Sequence, residues 1–231
     1  MYKRILLKLS GELLMGDRDF GIDVEAASRL ANELVEISDL GIELVVEIGG
    51  GNIYRWRTAQ KGVKRNVADT MGMLGSIMNA LSLRNAMPQE KEVRALSPVY
   101  MPYIIQYYTP AKAIHYLEEK RIVILGGGTG SQFFTTDTGA ALHALQTGCE
   151  ILLKGTNVEG VYSADPKIDP KAKKFDFLSF DEVISKKLKV MDITAFSLCQ
   201  ENNLPILVFN AAKKENIKKA AKGERIGTLI R

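Results

Sequence analysis

Six short, largely apolar runs recur along the chain, and they constrain the fold more than any other feature of the sequence. They are Ile5 to Leu9, Ile42 to Ile48, Val93 to Leu96, Ile122 to Leu125, Ile151 to Leu153 and Ile206 to Phe209. Continuous rather than alternating hydrophobicity is typical of strands buried on both faces of a mainly parallel sheet. Because helix-like stretches separate the runs, the sequence predicts an α/β protein, a three-layer α/β/α sandwich. With 231 residues and no repeat or low-complexity linker, residues 1–231 are expected to form one domain.

Composition and charge exclude several classes of protein. The 31 basic and 27 acidic residues leave a net charge of +4, which suits a small anionic ligand but is too small to indicate a nucleic-acid-binding face. No apolar stretch is long enough for a membrane span, and Lys8 interrupts the N-terminal run, so neither a membrane anchor nor a signal peptide is expected. Cys149 and Cys199 belong to no CxxC motif or His cluster. They are interpreted as buried thiols in helix-like stretches of a cytoplasmic protein.

Start signals for helices follow several of the runs. Asp23, Thr109 before Pro110, and Ser179 with Glu182 are each predicted to cap a helix, the last pair as a capping box. The stretch from Gly155 to Asp176 contains two Asp-Pro pairs and is predicted to be a long loop with a short hairpin.

A longer helix is predicted from Asn66 to Met87. Gly72 and Gly75 weaken it by about 1 kcal/mol each relative to Ala and indicate close packing, which could lie at a subunit interface. Its apolar stripe is formed by Met71, Leu74, Met78 and Leu81.

Small, glycine-rich segments follow four of the predicted strands. They begin at Ser10, Gly49, Gly126 and Gly155. The carboxyl ends of parallel strands form the ligand crevice of such sheets, and glycine lets a backbone amide approach a phosphate oxygen closely. The segments therefore predict a phosphate-containing ligand. The sequence has no GxxxxGK[ST], and Tyr54 and Ser131 stand where GxGxxG requires its third glycine.

Charged residues near these strand ends allow more than one interpretation. Lys8 either forms a structural ion pair or contacts phosphate, and Arg55 either reaches a bound anion or lies on the surface. Asp69, Asp137 and Asp192 lie near predicted helix starts, where a carboxylate also stabilises the helix. His115 and His143 lie within predicted helices without a spaced carboxylate or cysteine, so neither is expected to be catalytic. Trp56 is interpreted as a packing residue or a lid.

Taken together, these segments resemble the bacterial uridylate kinases of the amino-acid kinase superfamily, collinearly over essentially the whole chain. The matching segments are Lys8 to Glu12, Ile48 to Asn52 with Arg55, Asp69 with Met71 to Leu74, Gly128 to Gly130 with Phe133 to Asp137, Val158 to Pro166, and Leu188 to Asp192. The resemblance implies the carbamate kinase-like fold, a homohexamer, and the transfer of the γ-phosphoryl group of ATP to UMP. UDP is the product, in de novo pyrimidine nucleotide synthesis.

The resemblance also implies roles for individual residues. ATP contacts fall on Lys8, Leu9, Ser10, Gly11, Gly51, Arg55, Thr156, Asn157, Tyr162 and Asp165. UMP contacts fall on Gly50, Asp69, Thr129, Gly130, Ser131, Gln132, Phe133, Phe134, Thr135 and Thr136, with Asp69 on the sugar. Lys8, Arg55, Asp137 and Asp192 form the implied catalytic set, in which the two aspartates orient Lys8 and the metal shell. Mg²⁺ is expected to arrive with ATP rather than at a metal site of the protein.

The chain departs from the family pattern at two positions, where Trp56 replaces a glycine and Gln132 a proline. Many members bind GTP as an activator through the segment matching Gly16 to Gly21, so GTP, and UTP as an inhibitor, are candidate effectors. Two other interpretations stay open. One is a kinase of aspartate, glutamate or carbamate from the same superfamily, which the segment from Thr129 to Asp137 argues against. The other is a nucleotide-gated storage or regulatory protein without turnover.

Overall fold

One sheet forms the centre of the protein. In this computed structural model, which describes residues 2–54, 62–164, 166, 168–169, 171–188 and 190–231, the sheet has nine strands. They are β1 (Arg4–Leu9), β2 (Glu43–Ile48), β3 (Val93–Ser97), β4 (Gln106–Tyr107), β5 (Ile122–Leu125), β6 (Ile151–Thr156), β7 (Phe177–Leu178), β8 (Ile206–Asn210) and β9 (Thr228–Ile230). Their order is β4-β3-β5-β2-β1-β6-β8-β9-β7, and every neighbouring pair is parallel except β8 and β9.

Seven α-helices of the described residues connect these strands. They are α1 (Val24–Ser38), α2 (Arg65–Ala86), α3 (Pro110–Glu118), α4 (Thr136–Gln146), α5 (Phe180–Ser185), α6 (Ile193–Glu201) and α7 (Asn216–Ala221), with a 3₁₀ turn at Gly11–Leu14. The predicted caps are confirmed. Asp23 accepts from Ala26 N, Thr109 accepts from Lys112 N before Pro110, and Ser179 with Glu182 forms the capping box.

Hydrophobic cores cover both faces of the sheet. One core packs α1, part of α2 and α7 against residues such as Leu7 and Val46. The other packs α3, α4, α5 and α6 against residues such as Leu6 and Val45. Apolar residues of β1 and β2 alternate between the two cores, so these strands are largely apolar because both of their faces are buried. The predicted three-layer, mainly parallel α/β/α sandwich is confirmed.

Several local predictions need correction. The short strands β4, β7 and β9 were not predicted, because two or three residues carry no periodic signal. β6 continues through Gly155 and Thr156, so the predicted loop starts later, and its hairpin consists of an isolated bridge between Tyr162 and Lys174. Cys149 and Cys199 are buried free thiols, as predicted, but Cys149 follows α4 instead of lying within a helix.

Helix α2 is rotated relative to the prediction. It runs from Arg65 to Ala86, and Met71, Leu74 and Met78 of the predicted apolar stripe are 41–51% exposed. The face that packs on the sheet carries small and polar residues instead, among them Ala68, Gly75, Ser76 and Asn79. Gly75 faces Gly50 and Ile53 of the same chain, so its close packing is internal.

None of the described helices combines the length and the apolar character needed to cross a membrane.

A buried pair of amides ties α2 to the ends of β1 and β2. Asn52 and Asn79 exchange hydrogen bonds of 3.0 and 2.6 Å. Asn79 Nδ2 also donates to Gly49 O at 2.6 Å, and Asn52 Nδ2 to Gly21 O at 2.8 Å. Both side chains are buried, so the pair holds the Gly49 to Asn52 turn in place with directional bonds.

Replacing Asn79 with Ala should lower the free energy of unfolding by about 2 to 3 kcal/mol, because Asn52 and Gly49 O lose buried hydrogen bonds. Asn85→Ala makes the same change at an exposed position of α2 and should shift stability by less than about 0.5 kcal/mol. Urea denaturation followed by circular dichroism measures both. Equal effects at the two positions would contradict the anchoring role of the amide pair.

Candidate active site

The glycine-rich segments converge at the carboxyl ends of the central parallel strands. Gly11 comes just after β1 in the chain and lies very close to the turn after β2. A Cβ added to Gly11 would lie 2.5 Å from Gly49 O. A Cβ on Gly126, after β5, would lie 2.6 Å from Ser76 O of α2. These positions need glycine because backbone meets backbone there. The result is a crevice edged by backbone, as the sequence predicts for a phosphate ligand.

A cavity of about 390 Å³ opens beside these strand ends, within the usual size range of small-molecule sites. Its lining comes from the Gly49 to Tyr54 turn, the first half of α2 and the loop between β5 and α4. The lining residues are Gly50, Gly51, Tyr54, Arg65, Ala68, Asp69, Gly72, Met73, Gly127, Gly128, Thr129, Ser131, Phe134, Thr135 and Thr136. Most of the predicted UMP contacts are therefore brought to one cavity, whereas Gly130, Gln132 and Phe133 are not in its lining.

Asp69 connects α2 to the loop between β5 and α4. Its carboxylate accepts from Arg65 Nε at 2.7 and 2.8 Å, and its Oδ2 also accepts from Phe133 N at 2.8 Å. Phe133 has a φ of 70°, which is uncommon for a residue with a side chain. The hydrogen bond from Phe133 N helps to hold this conformation. Asp69 therefore shapes the cavity as well as lining it.

Near the carboxyl ends of β1 and β6, two largely buried lysines share one carboxylate. Lys8 Nζ of β1 lies 2.8 Å from Asp137 Oδ1, and Lys154 Nζ of β6 lies 2.5 Å from Asp137 Oδ2. Lys154 also donates to Val190 O at 2.6 Å. Burial disfavours the Asp137 charge, but the two ammonium groups outweigh it and lower the pKa of Asp137 to about 2. With one carboxylate between two ammonium groups, this cluster carries a net charge of +1 at the crevice.

Asp192 connects the starts of α6 and α4. It caps α6 by accepting from Ala195 N at 3.0 Å, so the N-cap interpretation is confirmed. Its carboxylate also accepts from Thr135 Oγ1 at 2.5 Å and Thr138 Oγ1 at 2.9 Å. Thr135 in turn caps α4, which carries Asp137. Asp192 thus reaches the lysine cluster through the start of α4.

Six of the predicted ATP contacts, from Lys8 to Gly11 with Thr156 and Asn157, lie along the ends of β1 and β6, whereas Gly51 lines the cavity. Ser10 caps the 3₁₀ turn through Glu12 N, and Asn157 Nδ2 donates to Glu12 Oε2 at 3.1 Å. Thr156 Oγ1 lies 2.8 Å from Val158 O and 3.1 Å from Phe209 O. The side chain of Leu9 is fully buried in the core, which leaves only its backbone for a ligand.

Part of the predicted site lies outside the described residues. Arg55, Asp165 and Trp56 belong to that part of the chain. Tyr162 is described and forms the bridge to Lys174 in the loop after β6.

One prediction about histidine is wrong in detail. His143 does have a carboxylate partner, because its Nδ1 lies 2.9 Å from Glu47 Oε2 of β2, with both side chains buried. Sequence spacing could not reveal this pair, since 96 residues separate its members. His115 also has a carboxylate partner, because it lies exposed at 3.6 Å from Glu119, four residues further along the chain, a spacing that the sequence does show.

Sequence reasoning also missed other residues of the site. Lys154 directly follows an apolar run near the end of a strand. Lys8 was selected as a candidate because it also lies near the end of such a run, so the same criterion would have found Lys154. Arg65 and Tyr54 line the cavity, and Tyr54 Oη is buried without a hydrogen-bond partner among the described residues. No local pattern distinguishes either residue from an ordinary surface side chain.

The described residues contain no group of three or more His, Cys, Asp or Glu side chains placed to hold a metal ion. In that part of the chain, the carboxylate closest to the crevice cations, Asp137, is already shared by two lysines.

Fold and site together define an α/β protein whose parallel strands present glycine-rich carboxyl ends next to a lysine cluster, an arrangement suited to a phosphate-bearing ligand. Residues 3–210 match the profile of the amino acid kinase family, and the chain belongs to that family. It is 47% identical to a uridylate kinase of Phocaeicola vulgatus, over 99% of this chain and 98% of that protein.

Solved structures of UMP and uridylate kinases have a similar fold. A UMP kinase from Bacillus anthracis superposes with a TM-score of 0.95 at 37% identity, over 100% of this chain and 96% of that one. A UMP kinase from Ureaplasma parvum superposes with a TM-score of 0.93 at 35% identity, over 100% and 99%. A uridylate kinase from Archaeoglobus fulgidus gives 0.78 at 28% identity, over 98% and 99%. The similarity extends over the full length of the chain in each case.

Two glycines of the cavity should respond oppositely to the same substitution. A Cβ on Gly72 meets no atom within 4 Å, so Gly72→Ala should raise the free energy of unfolding by up to about 1 kcal/mol through helix propensity. Because Gly72 lines the cavity, the added methyl should also weaken binding of the ligand there. A Cβ on Gly50 would lie 2.6 Å from Ser76 N, so Gly50→Ala should destabilise the protein.

Thermal unfolding and equilibrium dialysis of nucleoside monophosphates measure the two effects. Loss of stability in Gly72→Ala, or unchanged stability in Gly50→Ala, would contradict this packing of α2 against the turn after β2.

Proposed function

We propose that this chain transfers the γ-phosphoryl group of ATP to UMP, giving ADP and UDP. The observation that carries the proposal is the cavity of nucleotide size directly beside a buried, net-positive lysine cluster at glycine-rich strand ends. The 47% identity with a uridylate kinase over the full chain supports UMP as the acceptor. The reaction is a phosphotransferase step that supplies pyrimidine nucleotides.

In this proposal UMP occupies the cavity of about 390 Å³. Its uracil lies against the loop between β5 and α4, where Thr129, Ser131 and Thr135 offer hydroxyl and backbone groups. Asp69 accepts from the ribose hydroxyls, and its existing hydrogen bond to Phe133 N keeps the loop closed around the base. The phosphate faces the backbone of Gly50 and Gly51, with which it forms hydrogen bonds.

ATP occupies the neighbouring half of the crevice, along the ends of β1 and β6. Backbone groups from Lys8 to Gly11 hold its phosphates, while Thr156, Asn157, Tyr162 and Asp165 line the adenosine side. The two substrates then meet at Lys8. Phosphoryl transfer needs in-line positioning and cations that offset the negative charge of the transferring group. Lys8 and Arg55 supply this positive charge.

The mechanism requires no general base. A phosphate monoester such as UMP is largely ionised at neutral pH, so its oxygen is already a nucleophile. Asp137 holds the Lys8 ammonium toward the crevice, and Asp192 fixes the start of α4 that carries Asp137. Both aspartates are therefore positioning residues for the lysine. Mg²⁺ enters as part of the MgATP substrate, because hard cations of this kind prefer phosphate oxygens and water.

Assembly and regulation form a further part of the proposal. The outer face of α2 exposes Val67, Met71, Leu74 and Met78, an apolar stripe of the kind that becomes buried when subunits associate. It supports assembly into the homohexamer expected for this family.

GTP as activator and UTP as inhibitor are the effectors to test. The cytoplasm is the proposed location, where both buried thiols stay reduced.

Base selectivity tests the proposed reaction. UMP should be phosphorylated at least about 100-fold faster than CMP at saturating MgATP, because cytosine reverses the donor and acceptor pattern of uracil and leaves buried polar groups unpaired. Purine monophosphates should react hardly at all, since the proposed base contacts are arranged for a single pyrimidine ring. A coupled assay of ADP formation compares kcat/KM for each acceptor.

The same assay separates the alternatives. Turnover with aspartate, glutamate or carbamate but not UMP would identify a carboxylate or carbamate kinase instead. Tight binding of ATP and UMP with negligible turnover would identify a nucleotide-gated storage or regulatory protein. Comparable kcat/KM values for UMP and CMP would contradict the proposed contacts to the base.

Lys8→Ala should lower kcat by about two to three orders of magnitude, the usual effect of removing one preorganised charge from a phosphoryl-transfer site. The fold should persist because Asp137 keeps its ion pair with Lys154. Lys222→Ala, at an exposed position after α7, is the matched control and should leave kcat unchanged. Near wild-type turnover of a folded Lys8→Ala protein would remove Lys8 from the mechanism.

A further inference from the structure

A buried carboxylate and imidazole lie beside the lysine cluster and have no part in the mechanism described above. Glu47 is 0% exposed, and its Oε2 lies 2.9 Å from His143 Nδ1. The other oxygen of the carboxylate, Oε1, is buried without a hydrogen-bond partner among the described residues. An unpaired carboxylate oxygen is costly to bury, so this arrangement calls for a physical explanation.

Strand register brings this pair next to Lys8. Lys8 of β1 is aligned with Glu47 of β2 on one side and with Lys154 of β6 on the other. Aligned residues on neighbouring strands project from the same face of the sheet. Helix α4 covers that face and contributes Asp137 to the lysines and His143 to Glu47. The five side chains thus form one continuous layer of charge between the sheet and α4.

The net charge of this layer depends on one proton. Lys8, Lys154 and Asp137 together carry +1. The Glu47–His143 pair is neutral when it holds one ionisable proton, whether as carboxylic acid with imidazole or as carboxylate with imidazolium. It carries −1 when that proton is released to solvent. The layer is therefore +1 with the proton and neutral without it.

Three ionisable groups around the pair keep one protonation state near neutral pH, with Asp137 charged and Cys149 and Tyr108 neutral. The pKa of Asp137 is about 2, because Lys8 and Lys154 outweigh the effect of burial. Burial raises the pKa of Cys149, in the loop after α4, to about 12. Burial and the Glu47 charge raise the pKa of Tyr108, whose ring stacks on His143 at 4.5 Å.

Lys154 and Asp192 complete the surroundings. Burial lowers the pKa of Lys154, while Asp137 and, more weakly, Asp192 of α6 oppose that change. For Glu47 itself, burial raises the pKa, and His143 and Lys8 oppose it. A buried carboxylate hydrogen-bonded to an imidazole beside Lys8 makes this pair a group of the layer that can exchange a proton with solvent.

We propose that Glu47 and His143 form a positioning pair for Lys8, whose single proton keeps a competing negative charge away from the ammonium that the ATP phosphates need. When the pair releases its proton, the Glu47 carboxylate attracts the Lys8 ammonium and repels the phosphates. The inference depends on the phosphate-binding role of Lys8 proposed above.

The first test is the pH dependence of kcat/KM for MgATP between pH 6.5 and 9, at saturating UMP. The wild-type value should fall by about three- to thirtyfold toward high pH, as expected for one added charge near the reacting phosphates. Glu47→Gln keeps a hydrogen-bonding group beside His143 but removes the carboxylate that would attract Lys8, so the decline toward high pH should disappear. His115→Gln alters the exposed histidine and should retain the wild-type profile.

A second variant covers the case in which Glu47→Gln does not fold. Replacing both Glu47 and His143 with Leu removes the charges and keeps the volume buried, a change that is often neutral or stabilising. This double variant should also show a flat profile. A wild-type decline that persists in either folded variant, or a wild-type profile with no decline, would overturn the proposal.

Histidine NMR tests the pair without relying on activity. The chain has two histidines, and His115→Gln assigns their signals. In Lys8→Met the shared proton of the Glu47–His143 pair, followed through the His143 signals, should be released at a pH about half a unit or more higher, because a nearby positive charge no longer favours proton release. An unchanged midpoint would overturn the coupling to Lys8. A shifted midpoint, together with full activity of Lys8→Ala, would refute the proposed role of Lys8 and leave the pair's coupling established.

Discussion

The shared ion pair of Asp137 with Lys8 and Lys154 is the interaction on which the rest of the site depends. Two ammonium groups from neighbouring strands can be buried only because one carboxylate on α4 lies between them. That requirement fixes the height of α4 above the sheet, and with it the loop that precedes the helix. Asp192 also holds the start of α4 in place, because its carboxylate accepts hydrogen bonds from the hydroxyls of Thr135 and Thr138. The surplus positive charge then remains at the crevice, where an anionic ligand can use it.

The second constraint is the close approach of backbone to backbone around the crevice. Gly11, Gly50 and Gly126 have no room for a Cβ, and the Asn52–Asn79 amide pair keeps the turn after β2 against α2. The space on the open side of α2 is left to the cavity, where Gly72 presents only hydrogen. Glycine therefore has two different roles in this site: some positions allow tight packing, and another leaves volume for a ligand.

Much of the fold followed from local patterns. All six predicted strands are present, because strands buried on both faces must be largely apolar, and the caps at Asp23, Thr109 and Ser179 depend only on residues three positions apart. The predicted orientation of α2 was wrong, since its inward face is small and polar where it meets backbone, while Met71, Leu74 and Met78 point outward. The edge strands were too short to carry a pattern. The predicted roles of Arg55 and Asp165 lie in the part of the chain that the structure does not describe.

By itself, the sequence determined the class of fold, the strand ends that carry glycine, and the family to which those motifs belong. These features are local or collinear, so they can be read from residues close together in the chain. Tertiary structure alone decided which charges meet. Lys154 joins Lys8 on Asp137, and Glu47 joins His143 across 96 residues, because parallel strands align positions that the sequence separates widely. Strand register and the height of a covering helix set these contacts, and neither is encoded in any short segment of the chain.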